Sequence, residues 1–353
     1  MDARDRGRFV WHELNTTDPS AAERFYRGIT GWGMLPFEKM PTYRMWTADG
    51  VPQGGLMRLP EQAKQMGAPP HWLSYVGVPD VDASVRQATS LGARTYVPPQ
   101  DIPGAGRFAV LADPQGAAFA VHSSPQLGAP EAAPKVGEFS WHELATTDPG
   151  AAWRFYETLF GWKKMDTMET PVGLYQMFGR GSFTYGGMYT KPKDMPAPPH
   201  WLAYISIPSV DATSPKVTAQ GGKILAGPMD VPGGDRIVMC LDPQGAAFAL
   251  HSKAAVAAVS RKAKAASKPA AKRKGTAAAK PKRKVKAAAK KKASSAKKKG
   301  SSKKKGSSKK KATRKGAART AAKARGVKKS KPKAKASARG KARRGAKGKR
   351  RGR

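Results

Sequence analysis

The chain has 353 residues, and its 66 Lys and Arg against 24 Asp and Glu give a formal net charge of +42. That charge is not spread evenly: 44 of the basic residues and none of the acidic ones lie between Lys253 and Arg353, leaving 22 basic and 24 acidic side chains in residues 1–252. A near-neutral globular body is therefore joined to a polycationic tail, and the single cysteine, Cys240, excludes an internal disulfide and any cysteine-based zinc site.

No basic-then-apolar leader opens the sequence, and no apolar run approaches the roughly 20 residues that span a bilayer. The expectation is a soluble, cytoplasmic protein without a membrane partner. Residues 8–14 alternate, with Phe9, Trp11 and Glu13 on one face and Val10, His12 and Leu14 on the other, which is the period of a strand. The run NTTDP at 15–19 breaks it. Asp18 suits an N-cap, Pro19 the first helical position, and Glu23 the helix start. Ala21, Ala22, Phe25 and Tyr26 give the buried side of a helix that stops at Gly31-Trp32. Residues 43–46 and 54–59 read as two short strands around a Gly-rich turn. The pattern then restarts, with a strand at 71–78, a helix from 83 to 91, and strands at 93–96, 107–112 and 117–122. Each unit is thus two strand-helix-strand-strand-strand modules, which should pair and curl around a shared cavity.

The whole unit occurs twice. WHELNTTDPSAAERFYRGITGW at 11–32 returns as WHELATTDPGAAWRFYETLFGW at 141–162, an offset of 130 residues. PPHWLSYVGVPDVDAS from Pro69 and DPQGAAFAVHS from Asp113 return from Pro198 and Asp242. The divisions read from this are a first domain at 8–124, a Pro/Ala/Gly-rich linker at 125–136, a second domain at 137–252 and a tail at 253–353. The order T-x-D, FY, GW, V-x-D-V-D-A and D-P-x-G resembles the vicinal oxygen chelate superfamily of glyoxalase I, extradiol dioxygenases and bleomycin-resistance proteins. The resemblance covers residues 1–252 and implies an α+β fold of two tandem domains, each a curled mixed sheet around a cavity.

That family binds a divalent metal through a His or Gln on the first strand of a module and a Glu on the last. The resemblance places those positions at Trp11, Leu73 and Ala120, and at Trp141, Leu202 and Ala249, none of which can ligate. No cofactor is expected. The alternative is a displaced site for Fe, Mn, Zn or Ni built from Glu13, His71 and His122, or from Glu143, His200 and His251. It requires shifts of about 6.6 Å along the strands, in opposite directions for the two histidines. His12 and His142 fall on the face expected to pack on the helix and read as hydrogen-bonded core residues. What remains is an apolar, aromatic pocket of Trp11, Leu73, Tyr75 and Ala120 around Glu13, repeated as Trp141, Leu202, Tyr204 and Ala249 around Glu143. Burial should raise the pKa of both carboxyls and make them candidate general bases or anchors for a cationic ligand, unless they pair with Arg24, Arg107, Arg154 or Arg236. An aromatic pocket suits a small, flat hydrophobic molecule. If the protein is an enzyme, the resemblance implies glyoxalase-like lyase or dioxygenase-type chemistry.

The tail lacks aromatic residues and nearly all large aliphatic ones, so it cannot offset its chain entropy by burial and is expected to be disordered. Its repeat KKKGSSKKKGSSKKK places Lys297, Lys298, Lys299, Lys303, Lys304, Lys305, Lys309, Lys310 and Lys311 as contacts to DNA or RNA phosphates. The composition resembles linker-histone tails and offers no base-specific readout. This implies a nucleoid-associated protein, or a nuclear one in a eukaryote; a DNA-compacting protein with the body as scaffold is the competing reading. Oligomeric state is left open.

Overall fold

The structure is a computed structural model that describes residues 5–125 and 130–254. The tail lysines named above lie outside the described residues.

Strand β1 (Phe9–Thr16) leads into helix α1 (Pro19–Thr30), then β2 (Gly33–Pro36), β3 (Arg44–Ala48), β4 (Val51–Arg58), the short α2 (Glu61–Gln65) and β5 (His71–Gly77). Helix α3 (Val81–Ser90) and strands β6 (Arg94–Ile102), β7 (Gly106–Ala112) and β8 (Ala118–Ser123) complete the first unit. The second unit repeats this as β9 (Phe139–Thr146), α4 (Pro149–Phe160), β10 (Lys163–Thr170), β11 (Gly173–Arg180), β12 (Phe183–Thr190), β13 (His200–Ser206), α5 (Val210–Ala219), β14 (Lys223–Asp230), β15 (Arg236–Leu241) and β16 (Ala247–Ser252). Strand β2 and helix α2 are not expected from the pattern, because four and five residues are too few to show a period. The cap of α1 is as the sequence indicates. Asp18 accepts from the N–H groups of Ser20 and Ala21, and Gly31 ends the helix in the left-handed region at φ 77°, donating its N–H to Arg27 O.

Each unit forms one eight-stranded mixed sheet, ordered β2-β3-β4-β1-β5-β8-β7-β6 and β10-β11-β12-β9-β13-β16-β15-β14. The first strands of the two modules meet antiparallel at the centre, with Glu13 opposite Leu73 and Glu143 opposite Leu202. Each concave face therefore belongs to a single unit. The convex faces and their helices do not. One core joins Val76, Leu111 and Phe119 of the first unit to Phe155, Tyr156 and Trp162 of the second, and the other joins Phe25, Tyr26 and Trp46 to Ile205, Val217 and Phe248.

The repeated motifs are largely the hydrogen bonds of this interface. Trp32 Nε1 donates to Gly137 O and Trp162 Nε1 to Gly7 O, both at 2.7 Å. The Tyr of each FY pair donates to the DPQG aspartate of the other unit, Tyr156 to Asp113 at 2.9 Å and Tyr26 to Asp242 at 3.2 Å. Leaving such a buried carboxylate without its partner costs about 1–3 kcal/mol, which accounts for both ends of the bond recurring in both units. Two expectations about the first strand need correction. His12 faces the other unit, not its own helix: its Nε2 lies 2.7 Å from His142 Nε2, and its ring stacks on Phe139 at 3.7 Å. A β-bulge between Phe9 and Trp11 also inverts the assigned faces. Phe9 stacks on His142 at 3.5 Å, while Val10 joins the concave cluster. In the described part of the linker, Glu131 pairs with Arg8 and Arg180 and accepts from Tyr185 Oη.

Candidate functional site

The concave face of the second unit gathers Trp141, Leu202, Tyr204, Ile237 and Ala249 on one side and Tyr175, Tyr189, Met168, Met177 and Met195 on the other. Glu143 sits between them, 8 % exposed. Tyr175 Oη donates to Glu143 Oε2 at 3.1 Å and is itself held by Trp141 Nε1 at 2.8 Å. Gly187, on the neighbouring strand, makes this possible, since a Cβ there would collide with the Tyr175 ring. Tyr204 brings a second hydroxyl to the same carboxyl, but that buried Oη makes no hydrogen bond of good geometry with any group.

No cation among the described residues lies against Glu143, so burial dominates and pushes its carboxyl up to about 7, with the Tyr175 and Tyr204 hydroxyls opposing the shift. The same carboxylate raises the pKa values of Tyr175 and Tyr204, after the larger effect of burial. Near neutral pH the site therefore holds a proton that can be given or taken, inside an apolar wall.

The first unit carries a related set, with Met57 at the place of Tyr189 and Asn15 at the place of Ala145. Trp11 Nε1 donates to Tyr43 Oη at 2.8 Å, and Leu73, Tyr75 and Ala120 line the face with Trp11 and Val10. Asn15 Nδ2 adds a donor to Glu13 Oε1 at 3.2 Å where the second unit has Ala145. Burial raises the Glu13 pKa, and the Tyr43, Asn15 and Tyr75 donors act against it. The arginine partners considered from sequence are engaged elsewhere or absent: Arg107 binds Asp82 and Asp101, Arg236 binds Asp211 and Asp230, and neither Arg24 nor Arg154 pairs with a glutamate of the site.

The displaced metal site does not form. His122 stands alongside Gly77 at the far end of β5, six residues or about 20 Å from His71, and His251 stands alongside Ser206, as far from His200. His71 and His200 are each turned by Nδ1 to a carbonyl two residues back, at 2.7 and 2.8 Å. Among the described residues no group of three His, Cys, Asp or Glu converges as a metal would need. The positions that carry the family's ligands are brought together, as Trp11, Leu73 and Ala120 and as Trp141, Leu202 and Ala249, and they offer no donor to a metal. Two surface clefts, of about 310 and 410 Å³, lie away from both carboxyls, one between Leu91 and Phe155 and one at the β6–β7 turn. The functional reading rests on the concave faces, where the titratable groups are.

Sequence reasoning missed Tyr43, Tyr175 and Tyr189. Tyr43 precedes β3, and Tyr175 and Tyr189 lie on β11 and β12, at spacings from the WHEL stretch that differ between the units, so no fixed spacing reveals them.

Two family profiles match the chain: the glyoxalase-like domain over residues 11–122, and the glyoxalase/bleomycin resistance protein/dioxygenase superfamily over residues 138–250. The chain is similar to the "Putative glyoxylase CFP32" of Mycobacterium tuberculosis, 35 % identical over 248 residues that cover 68 % of this chain and 92 % of the relative. It is also similar to the anthracycline biosynthesis protein DauV of Streptomyces sp. strain C5, 30 % identical and covering 68 % and 91 % of the two chains. Among solved structures, homoprotocatechuate 2,3-dioxygenase from Arthrobacter globiformis shares the fold with a TM-score of 0.53 at 16 % identity, over 72 % of this chain and 81 % of that one. The Mn(II)-bound glyoxalase from Novosphingobium aromaticivorans does so with a TM-score of 0.50 at 18 % identity, over 71 % and 83 %.

Proposed function

Because this chain belongs, in both halves, to the glyoxalase/bleomycin resistance protein/dioxygenase superfamily, we propose that it binds a small hydrophobic molecule on the concave face of its second unit and moves a proton on it with Glu143. The observation that carries this reading is a carboxyl 8 % exposed, held at about 7 among four aromatic side chains and answered by no cation among the described residues. Trp141, Tyr175, Tyr189 and Tyr204 present flat faces to a planar ligand. Tyr175 holds the carboxyl in place, and the Tyr204 hydroxyl, beside the same carboxyl but without a well-formed hydrogen bond, can turn to donate to an oxygen of the ligand. No step is assigned to a metal, because the family's ligand positions carry Trp, Leu and Ala. Glu13 supports a second, non-equivalent site, since the Asn15 donor favours its charged form.

A neutral planar ligand that covers Glu143 removes its remaining water and raises its pKa further, so binding near pH 7.5 takes up a proton. Titrating the full chain calorimetrically with 2-naphthol, in two buffers of different ionisation enthalpy, reads that uptake. Saturable binding with proton uptake that disappears in Glu143→Gln is the expected result. Absence of saturable binding, or uptake unchanged in the variant, would contradict it and leave the body as a scaffold for its tail.

The tail supports a second part of the same proposal. Its 44 positive charges, without a single acidic residue, suit non-specific attachment to DNA or RNA phosphates and a place on the nucleoid, or in the nucleus of a eukaryote. No helix among the described residues is long and apolar enough to cross a membrane.

A further inference from the structure

The second unit contains a chain of polar contacts that neither the fold nor Glu143 uses. Ser140 Oγ lies 2.9 Å from His251 Nδ1, and His251 Nε2 lies 2.9 Å from Asp235 Oδ2. The three residues come from β9, β16 and the turn before β15, and they meet through a β-bulge. Trp141 pairs with Tyr204 and Phe139 with Ile205, so Ser140 is the extra residue and turns onto the concave face beside Trp141. His251 stands on that face because its neighbour two residues back, Ala249, lines it.

The protonation pattern follows from the partners. Asp235 can only accept when ionised, so its contact fixes the imidazole proton on Nε2. Nδ1 then presents its lone pair to Ser140, whose hydroxyl donates to it at 2.9 Å in preference to the Tyr204 carbonyl at 3.4 Å. Asp235 is in turn held by the Ala254 N–H at 3.0 Å and by Lys253 Nζ at 3.0 Å. These bonds to His251, Ala254 and Lys253 outweigh burial and keep its carboxyl below the usual range. The site is open enough to be reached: the side chains of His251 and Asp235 are 11 % and 24 % exposed, and Ser140 is half-buried.

The first unit supplies the control. There His122 Nε2 lies 3.0 Å from Ala105 O and the ring feels the charge of Asp5, with Val10 where Ser140 stands and Gly106 where Asp235 stands. A histidine at this place needs no hydroxyl to keep its position, yet the second unit places a hydroxyl on one ring nitrogen and a hydrogen-bonded carboxylate on the other.

We infer that Ser140, His251 and Asp235 form a nucleophilic acyl-transfer site, able to hydrolyse a small ester whose apolar acyl group rests against Val231, Ile237 and Leu202. Ser140 Oγ bonds to the ester carbonyl carbon while His251 Nδ1 takes the hydroxyl proton. The carbon–oxygen bond to the alcohol then breaks, and Nδ1 returns the proton to the leaving alkoxide. Water attacks the acyl-serine, giving one proton to Nδ1, and Ser140 departs carrying that proton, so ester and water yield acid and alcohol. The roles are those of the Ser-His-Asp constellation, with Nδ1 in place of Nε2 as the base.

The full chain is treated with a fluorophosphonate probe, the modified residue is mapped by mass spectrometry, and hydrolysis of 4-nitrophenyl acetate is followed in parallel. Labelling of Ser140 in the wild type, lost in His251→Gln, together with ester hydrolysis slowed about a hundredfold or more in Ser140→Ala, is the expected result. Ser140→Ala removes one oxygen from a half-buried position, so an unchanged circular dichroism melt certifies its fold. Absence of label on Ser140 in the folded wild type, or hydrolysis unchanged in Ser140→Ala, overturns the assignment. Neither outcome depends on Glu143.

Discussion

Replacing Glu143 with Gln is expected to stabilise the protein at pH 8 by about 3 kcal/mol and to leave it unchanged near pH 4.5. The folded carboxyl titrates at about 7 against an ordinary value of 4.5. The folded state therefore holds a proton that the unfolded chain has released, and stability falls as pH rises through that window. Gln has the shape of the protonated acid and does not ionise, so the penalty disappears with the substitution. Any loss of stability with rising pH that persists belongs to the other carboxyls whose pKa values burial raises, Glu13, Asp113 and Asp242. The buried histidines act in the opposite sense. Burial depresses His142 to about 3 and His12 well below its ordinary value, with the neighbouring His142 adding to the effect on His12. The unfolded chain takes up protons below about 6.5 that the folded one cannot, and each histidine then costs about 1.4 kcal/mol per pH unit. Wild-type stability should peak where these slopes cross, and the peak should move to higher pH in Glu143→Gln. Urea denaturation at pH 5, 6.5 and 8 reads both effects.

Removing residues 253–353 is expected to lower affinity for duplex DNA by several orders of magnitude at low salt. A tail that makes six to ten phosphate contacts gives a slope of about −5 to −9 in log K against log salt, so its own binding weakens by about 10³–10⁵ between 50 and 200 mM. The remaining body carries 22 basic and 24 acidic residues and has no comparable attraction. Binding should be indifferent to sequence, since no fixed element of the tail reads base edges. Fluorescence anisotropy of two unrelated duplexes across a salt series checks this. A truncated chain that binds as tightly as the full one, or a full chain insensitive to salt, would contradict the attachment.

Much of the concave face was legible in the sequence because a strand sorts its residues by parity. Trp11 and Glu13 share a face, and aligning the T-x-D and DPQG signals set Leu73 and Ala120 against them, as the register does. What parity could not give is the identity of a neighbour on another strand. Tyr43 and Tyr175 approach the two glutamates only because the strand between carries Gly55 and Gly187, a cause visible in three dimensions alone. A single bulged residue was enough to invert the assigned faces of Phe9 and Val10 and to conceal Ser140. The repeated motifs misled in a different way. Read as a site written twice, they turn out to be in large part an interface written twice, with Tyr26, Trp32, His12 and their counterparts bonded across the units. Duplication of a unit that must pack on its own copy retains both ends of each such bond.

The proposed chemistry needs one proton, that of the Glu143 carboxyl. Carbon-13 NMR of the full chain with labelled glutamate δ-carbons, the Glu143 resonance assigned from its loss in Glu143→Gln, follows that carboxyl directly through pH 4 to 9. Titration centred near 7, above the exposed glutamates, is the result predicted from its burial beside Tyr175 and Tyr204. Titration at or below 4.5 would show an ionised, solvated or cation-paired carboxylate, and would remove the proton on which the proposed chemistry depends.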